Sequence, residues 1–335
     1  LQNLRITFAR APRGIPVPGD FSSDTVAVVL PAAGQFLSRT IWLSLDPYLR
    51  NVMKGHPLYG VPLRPGDPMF GETVSQVVES RHPGYAAGDY VLVKNGWQEY
   101  ALSDGQGVRK LDPRVAPLST ALGVLGMPGL TGYAGLVYLA EPKPGETVVV
   151  SAATGPVGST VGQVARLVGA RAVGIAGSDE KCRYAVEELG YDACVNYREG
   201  DLRALLKQAC PNGIDVYFDN VGGDVLAAVL GNLALRARVV LCGMIEAYSA
   251  ESPPPGPFLG PVVAARATIR GLVVYDHLHR LPELERVVGG WIRDGRFRYR
   301  EDVTEGLEHA PEAFCRLMRG ENFGKTLVRV AADST

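Results

Sequence analysis

The chain has 335 residues, 46% of them apolar, and a formal net charge of -1. That balance leaves no electrostatic case for nucleic acid or an anionic membrane as partner. The length admits two domains, each with a sizeable core.

Residues 1 to about 115 carry short β-like runs cut by Gly and Pro: Leu4–Phe8, Val26–Leu30, Gln35–Ser44, Thr73–Glu79, Tyr90–Val93 and Gln98–Leu102. Many short strands with turn signals predict a barrel or sandwich. Asp46-Pro47 reads as an N-cap with Pro at N1, which predicts a short helix over Pro47–Met53 with Tyr48 near its start. Arg5, Arg10 and Arg13 are followed by no apolar h-region, so no secretory leader is expected.

Val115 to Ala140 contains no charged residue and is long enough to span a bilayer. Pro117, Pro128 and the glycines at 123, 126, 129, 132 and 135 break a lone helix there. The stretch is expected to be packed core at a hinge or domain junction.

From Thr120 to Asp294 strands and helices alternate. Thr147–Ser151 is an apolar, β-branched run, followed by Ala153-Thr-Gly155-Pro156-Val157-Gly158 and then a 3.6-residue apolar period to Val168. Gly169 ends that helix and Ala172–Ala176 supplies a second strand. Strand, glycine turn, helix and strand in this order make a dinucleotide-binding unit. Gly155 would let the backbone approach a pyrophosphate and Gly158 would let helix and strand lie close. The helix N-terminus would face the phosphates. Ala153 stands where the motif's first glycine belongs, so the turn alone also fits an unliganded strand-to-helix connection. Helices Asp179–Leu189, Glu199–Ala209, Asp224–Leu233 and Pro282–Asp294 follow, with strands Ala193–Asn196, Ile214–Asp219, Arg238–Gly243 and Thr268–Tyr275. The predicted class is α/β: a doubly wound, mostly parallel Rossmann sheet over 120–295. The β-rich domain is discontinuous, 1–119 with the returning tail 296–335.

Ligands of such sheets lie beyond the strand C-termini. There the second strand ends in Gly177-Ser178-Asp179-Glu180-Lys181. Ser178 suits an N-cap and the two acids suit a first turn, but Lys181 opposes the helix dipole. A ribose 2′-phosphate accounts for it and points to NADPH, while Asp179 remains an alternative partner for a ribose diol. Asp219-Asn220-Val221-Gly222-Gly223 and Cys242-Gly243 follow later strands, where a dinucleotide would pass; each also fits a plain turn or a buried thiol. No metal site is expected, since the histidines are scattered and the five cysteines (Cys182, Cys194, Cys210, Cys242, Cys315) never form CxxC. The same cysteine usage fits a reduced cytoplasm. Tyr90-Val-Leu-Val-Lys94 has YxxxK spacing but lies in a β-like run, and Gly324-Lys325-Thr326 lacks the rest of a phosphate loop.

Leu45-Asp-Pro-Tyr48-Leu-Arg50, Gly126-Met-Pro-Gly-Leu-Thr131, AATGPVGS, GSDEK, FDNVGG and ENFGKT together resemble the zinc-free alkenal/enone reductases of the medium-chain dehydrogenase/reductase superfamily. The resemblance covers essentially the whole chain. It implies a GroES-like β-barrel beside the Rossmann domain, with Thr131, Gly155, Pro156, Val157, Gly158, Ser178, Lys181, Tyr197, Asn220, Cys242, Gly243, Leu272, Val273, Val274 and Asn322 around NADPH. It also implies Tyr48 and Tyr248 facing an enal or enone, Tyr248 from a loop, and Gly71-Glu72 where zinc-bearing relatives have Gly-His-Glu. The implied reaction is hydride transfer from nicotinamide C4 to the β-carbon of an α,β-unsaturated aldehyde or ketone. A hydroxyl would steady the enolate, and a tyrosine or water would protonate the α-carbon. A zinc-free quinone reductase and a non-catalytic NADPH-binding protein are the alternatives. A homodimer paired through Thr268–Tyr275 is expected.

Overall fold

The computed structural model describes residues 1–55, 62–252 and 254–332. The chain divides into two units, Leu1–Leu122 with Glu301–Thr335, and Gly123–Arg300.

The first unit is mainly β. Its strands are β1 (Gln2–Phe8), β2 (Phe21–Ala27), β3 (Phe36–Ser44), β4 (Thr73–Ser80), β5 (Tyr90–Val93), β6 (Tyr100–Ser103) and β7 (Arg109–Leu111), with a single helical turn α1 (Leu49–Val52) after β3. β1 and β2 form an antiparallel pair, and bridges at Arg5–Gln98 and Thr7–Pro68 tie β1 onward. β3 is the hub: it pairs antiparallel with β4 along its length and with β6 through Phe36–Arg39, and register shifts near Ser38 and Trp42 bend it. Eight of its nine residues are buried, so both of its faces are covered. Trp97 stacks on Phe21 at 5.5 Å, and Phe314 meets both rings edge-on.

The second unit begins at Gly123, inside the long uncharged stretch. That stretch is broken as its prolines and glycines require: a 3-10 turn at Leu118–Leu122, α2 (Met127–Ala134), and a π-helical turn at Gly135–Ala140. The glycines permit close packing. A Cβ on Gly132 would stand 2.8 Å from the Val157 carbonyl, and one on Gly135 would stand 2.6 Å from the Phe218 ring. No helix among the described residues is long and apolar enough to cross a membrane.

Beyond it run β8 (Thr147–Ser151), α3 (Pro156–Leu167), β9 (Arg171–Ala176), α4 (Asp179–Glu187), β10 (Ala193–Asn196), α5 (Leu202–Ala209), β11 (Ile214–Asp219), α6 (Gly223–Leu230) and β12 (Leu233–Leu241). Then come α7 (Ile245–Tyr248), α8 (Gly260–Ala265), β13 (Thr268–Gly271) and α9 (Leu281–Arg293). The six strands form one parallel sheet in the order β10-β9-β8-β11-β12-β13. The order reverses between β8 and β11, and that switch point is where such sheets bind ligands. Val148, Val149 and Val150 are fully buried, as a central parallel strand covered on both faces demands.

The tail, β14 (Glu301–Glu305), α10 (Ala310–Met318) and β15 (Lys325–Arg329), returns to the first unit, where β15 pairs with β3 through Leu327–Ser44, Val328–Leu43 and Arg329–Trp42. β14 lies parallel to β15.

Several predicted elements differ in extent. The second strand is Phe21–Ala27 rather than Val26–Leu30, because Val29 and Leu30 are exposed and make no ladder. α5 starts at Leu202, not Glu199, since Gly200 has φ +101° and Asp201 caps the helix by accepting from the Arg203 N–H. The strand expected to reach Tyr275 stops at Gly271, and Val274–Arg280 turns into a 3-10 segment.

Candidate active site

The glycine turn after β8 carries the clearest geometry. Ala152 takes φ +52°, an unfavourable value for a residue with a Cβ, and Ala153 donates its N–H to the Ile175 carbonyl of β9 at 3.1 Å. Gly158 is required by the protein itself: a Cβ there would stand 2.3 Å from the Ala152 carbonyl oxygen. Gly155 is not so constrained. Its φ of -73° suits any residue, and a Cβ would meet only the Ala152 oxygen, at 3.3 Å. The fold therefore requires a glycine at 158 but not at 155. Pro156 opens α3, no side chain caps it, and Val157 follows in the first turn. An anion fits such a helix end.

At the end of β9, Ser178 caps α4, its hydroxyl accepting the Lys181 N–H at 3.2 Å. Asp179 accepts from the Asn196 side chain at 2.9 Å, which holds this carboxylate toward β10. Tyr197, 41% exposed, lies over Gly177, where a Cβ would stand 3.1 Å from its ring. Ser178, Lys181 and Tyr197 thus share one end of β9 and β10.

At the switch point a buried carboxylate organises the backbone. Asp219 Oδ1 accepts from the Val221 and Gly222 N–H groups at 2.9 Å, from the Tyr217 hydroxyl at 2.8 Å and from the Ser151 hydroxyl at 3.2 Å. Its Oδ2 is buried and has no partner among the described residues. Asn220 is locked across the switch, donating its N–H to Ser151 Oγ at 2.9 Å and its Nδ2 to the Ser151 carbonyl at 2.8 Å. The Asp219 carbonyl accepts the N–H groups of Cys242 and Gly243. Burial, and then the Asp219 charge, push the Cys242 thiol up to about 12, so it is a neutral group at physiological pH.

Tyr248 sits on the one-turn helix α7 rather than on a loop. Its hydroxyl accepts the Met244 N–H at 3.3 Å and stands 3.3 Å from where a Gly243 Cβ would be. The Asn220 carbonyl is 3.1 Å from the same point, so the phenol reaches the end of β12 beside the DNVGG turn. Leu272 is buried and hydrogen-bonded to Leu241, while Val273 and Val274 lie at the start of the 3-10 segment. Thr131 is buried in α2, donating its hydroxyl to the Met127 carbonyl at 2.7 Å. Pro253 lies outside the described residues.

Two expected residues belong to the first unit. Asn322 donates to the Gly324 carbonyl at 3.0 Å. Tyr48 takes the N-cap position of α1, but the helix has no side-chain cap, which corrects the reading of Asp46 as its cap. Asp46 is instead drawn inward by a buried ammonium group: Lys325 Nζ donates to Asp46 Oδ1 at 2.7 Å and to the Leu45 carbonyl at 2.9 Å, and the Ser44 hydroxyl donates to Asp46 Oδ2. Near it, burial and then the Asp46 charge raise Glu72 to about 7, against the opposing charges of Lys94, Lys325 and Arg109. Neither this cluster nor the role of Asp219 is legible in the sequence. The only signal of either was a charged residue at the end of an apolar strand.

Two family models match: "N-terminal domain of oxidoreductase" over residues 4–111 and "Zinc-binding dehydrogenase" over residues 156–288. The chain is 47% identical to the NADPH-dependent curcumin reductase of Escherichia coli over 99% of its own length and 98% of that protein. It is 40% identical to prostaglandin reductase 1 of Rattus norvegicus, with 94% and 95% covered. The 2-alkenal reductase (NADP(+)-dependent) of Nicotiana tabacum is 39% identical, with 99% of each covered. The crystal structure of CurA in complex with NADPH from Vibrio vulnificus superposes with a TM-score of 0.94 at 41% identity, covering 98% of this chain and 100% of that one.

The parallel sheet, its glycine turn and the separate β unit define an oxidoreductase of the medium-chain dehydrogenase/reductase superfamily. Within it, the chain belongs to the alkenal/enone reductase family that contains the curcumin, prostaglandin and 2-alkenal reductases. The zinc in one model's name has no donor set to match. Among the described residues, no group of three or more His, Cys, Asp or Glu is placed to hold a metal ion.

Proposed function

We propose that this protein reduces the carbon–carbon double bond of α,β-unsaturated aldehydes and ketones with NADPH. The observation that carries the reading is the Tyr248 hydroxyl held over Gly243 at the switch-point end of the sheet, a neutral donor suited to an enolate oxygen. The hydride comes from nicotinamide C4 of bound NADPH and goes to the β-carbon. Gly155 to Gly158 hold the pyrophosphate, Lys181 the 2′-phosphate beside the Ser178 cap, and Tyr197 the adenosine side. Asn220, Cys242, Gly243 and Leu272 to Val274 line the nicotinamide side, and Thr131 and Asn322 are further contacts to the cofactor. Negative charge grows on the substrate's oxygen, where Tyr248 donates, and Tyr48 or water returns a proton to the α-carbon. Residues 120–295 serve the cofactor, and residues 1–119 with 296–335 shape the substrate site. A cytoplasmic homodimer completes the proposal; the exposed edge of β13 supports the pairing.

Incubation of an enone such as 3-nonen-2-one with NADPH tests the reading. The expected product is the saturated ketone. An allylic alcohol as main product, or turnover confined to quinones, overturns it. Tyr248→Phe should lower kcat more than it changes NADPH affinity. A fully active Tyr248→Phe removes that residue from the mechanism.

A further inference from the structure

The lysine of the Gly324-Lys325-Thr326 run is buried, 3% exposed, against an Asp46 that is 7% exposed. The Thr326 carbonyl accepts the Leu45 N–H at 3.2 Å, which sets the start of β15 beside the segment that follows β3. There Lys325 Nζ donates to the Leu45 carbonyl at 2.9 Å and to Asp46 Oδ1 at 2.7 Å. One ammonium group thus grips two consecutive residues, and the Ser44 hydroxyl holds the other carboxylate oxygen. Taking both charges out of water consumes much of what their attraction returns, so such a pair is better suited to fixing geometry than to adding stability. The geometry at stake is that of Tyr48. The helical turn α1 that follows Tyr48 has no side-chain cap and is too short to hold itself. Its backbone bonds start from the gripped residue: Leu49 N–H donates to the Asp46 carbonyl at 3.0 Å, and Arg50 N–H to the Pro47 carbonyl at 3.1 Å. On the far side Arg50, 2% exposed, donates Nε to the Gly14 carbonyl at 3.1 Å and Nη2 to the Pro12 and Gly14 carbonyls at 3.0 Å. Tyr48 lies two residues from each of these anchors.

We propose that Lys325 is a positioning residue for the reduction: through Asp46 it sets the place of Tyr48, which delivers the proton to the α-carbon. The effect on turnover, though not the clamp itself, rests on the reading of Tyr48 as that donor. A reacting group displaced by about 1 Å loses much of its rate advantage, so a clamp far along the chain from Tyr48 controls the reaction without touching the substrate. Lys325 is 279 residues from the carboxylate it grips, and the returning tail thereby becomes part of the machinery.

The test removes both charges at once in the full chain. Asp46→Asn with Lys325→Met leaves no unpaired buried ion and keeps an acceptor for the Ser44 hydroxyl, so the urea midpoint should stay close to the parent's. Tyr48 is followed by fluorine NMR of protein labelled with 3-fluorotyrosine, its resonance identified by its loss in Tyr48→Phe. In the double variant that resonance should move or broaden. Turnover of 3-nonen-2-one with NADPH should fall roughly 10–100-fold, the cost of a misplaced reacting group. Added to Tyr48→Phe, the same two substitutions should change kcat by less than about twofold, because the hydroxyl they misplace is already gone. A pair that served stability alone would lower the midpoint and leave its loss of turnover additive with that of Tyr48→Phe. A Tyr48 resonance unmoved in the double variant overturns the clamp, as does a midpoint well below the parent's or a variant that does not fold. Equal falls in kcat with and without the Tyr48 hydroxyl overturn the action through Tyr48. A fully active Tyr48→Phe refutes Tyr48 as the proton donor, and the fluorine spectrum still judges the clamp.

Discussion

Gly155 and Gly158 stand three residues apart in one turn, and only one of them is needed by the fold. Gly158→Ala drives a methyl into the Ala152 backbone and should cost about 2 kcal/mol or more in stability, read by denaturant unfolding. Gly155→Ala should leave the unfolding midpoint nearly unchanged and weaken NADPH about tenfold, the loss of a contact made only by the ligand. Similar destabilisation by both would contradict the distinction. Lys181→Ala should weaken NADPH by about 10–100-fold and leave NADH nearly unchanged, as removal of a charge-assisted contact to the 2′-phosphate requires. Isothermal titration with both cofactors checks it.

At the scale of elements, the apolar periodicity of β8, α3 and β9 and the serine cap and charged first turn of α4 made the nucleotide-binding unit legible from sequence. What periodicity could not show was decided by tertiary contacts. The apolar run after Thr268 reads as one strand to Tyr275, yet only Thr268–Gly271 finds a neighbour, β12, and Val274 onward winds into a 3-10 turn. Asp46 looks like a cap in sequence because local rules cannot see Lys325, 279 residues away. The short β7 and β14 were missed for a similar reason: Arg109–Leu111 and Glu301–Glu305 are polar and become strands through their pairing partners. β13 ends the parallel sheet with all four residues exposed. Pairing of that edge with a second copy predicts a dimer mass by light scattering at micromolar concentration, and Ile269→Pro, which removes an edge donor, should shift the mass toward a monomer. A wild-type monomer contradicts the pairing.

For the whole molecule, the buried charges of the β unit set a pH dependence of folding. Glu72 is raised from 4.5 to about 7 in the folded state. Below pH 4.5 it is protonated both folded and unfolded, and the shift costs nothing. As pH rises toward 7 the folded state binds more protons than the unfolded one, so stability falls, and above 7 the loss is complete. A shift of this size sets a ceiling of about 3 kcal/mol. Glu72→Gln should therefore match the parent protein near pH 4.5 and be the more stable of the two at pH 8, as urea unfolding at both values would show. Equal stabilities at pH 8 would remove Glu72 from the account.

Isotope placement tests conjugate hydride transfer most directly. An enone is turned over with NADPH deuterated at the transferred C4 position, and the product is examined by NMR. Conjugate transfer places deuterium on the β-carbon of a saturated ketone and a solvent-derived proton on the α-carbon. Deuterium on the carbinol carbon of an allylic alcohol would contradict it.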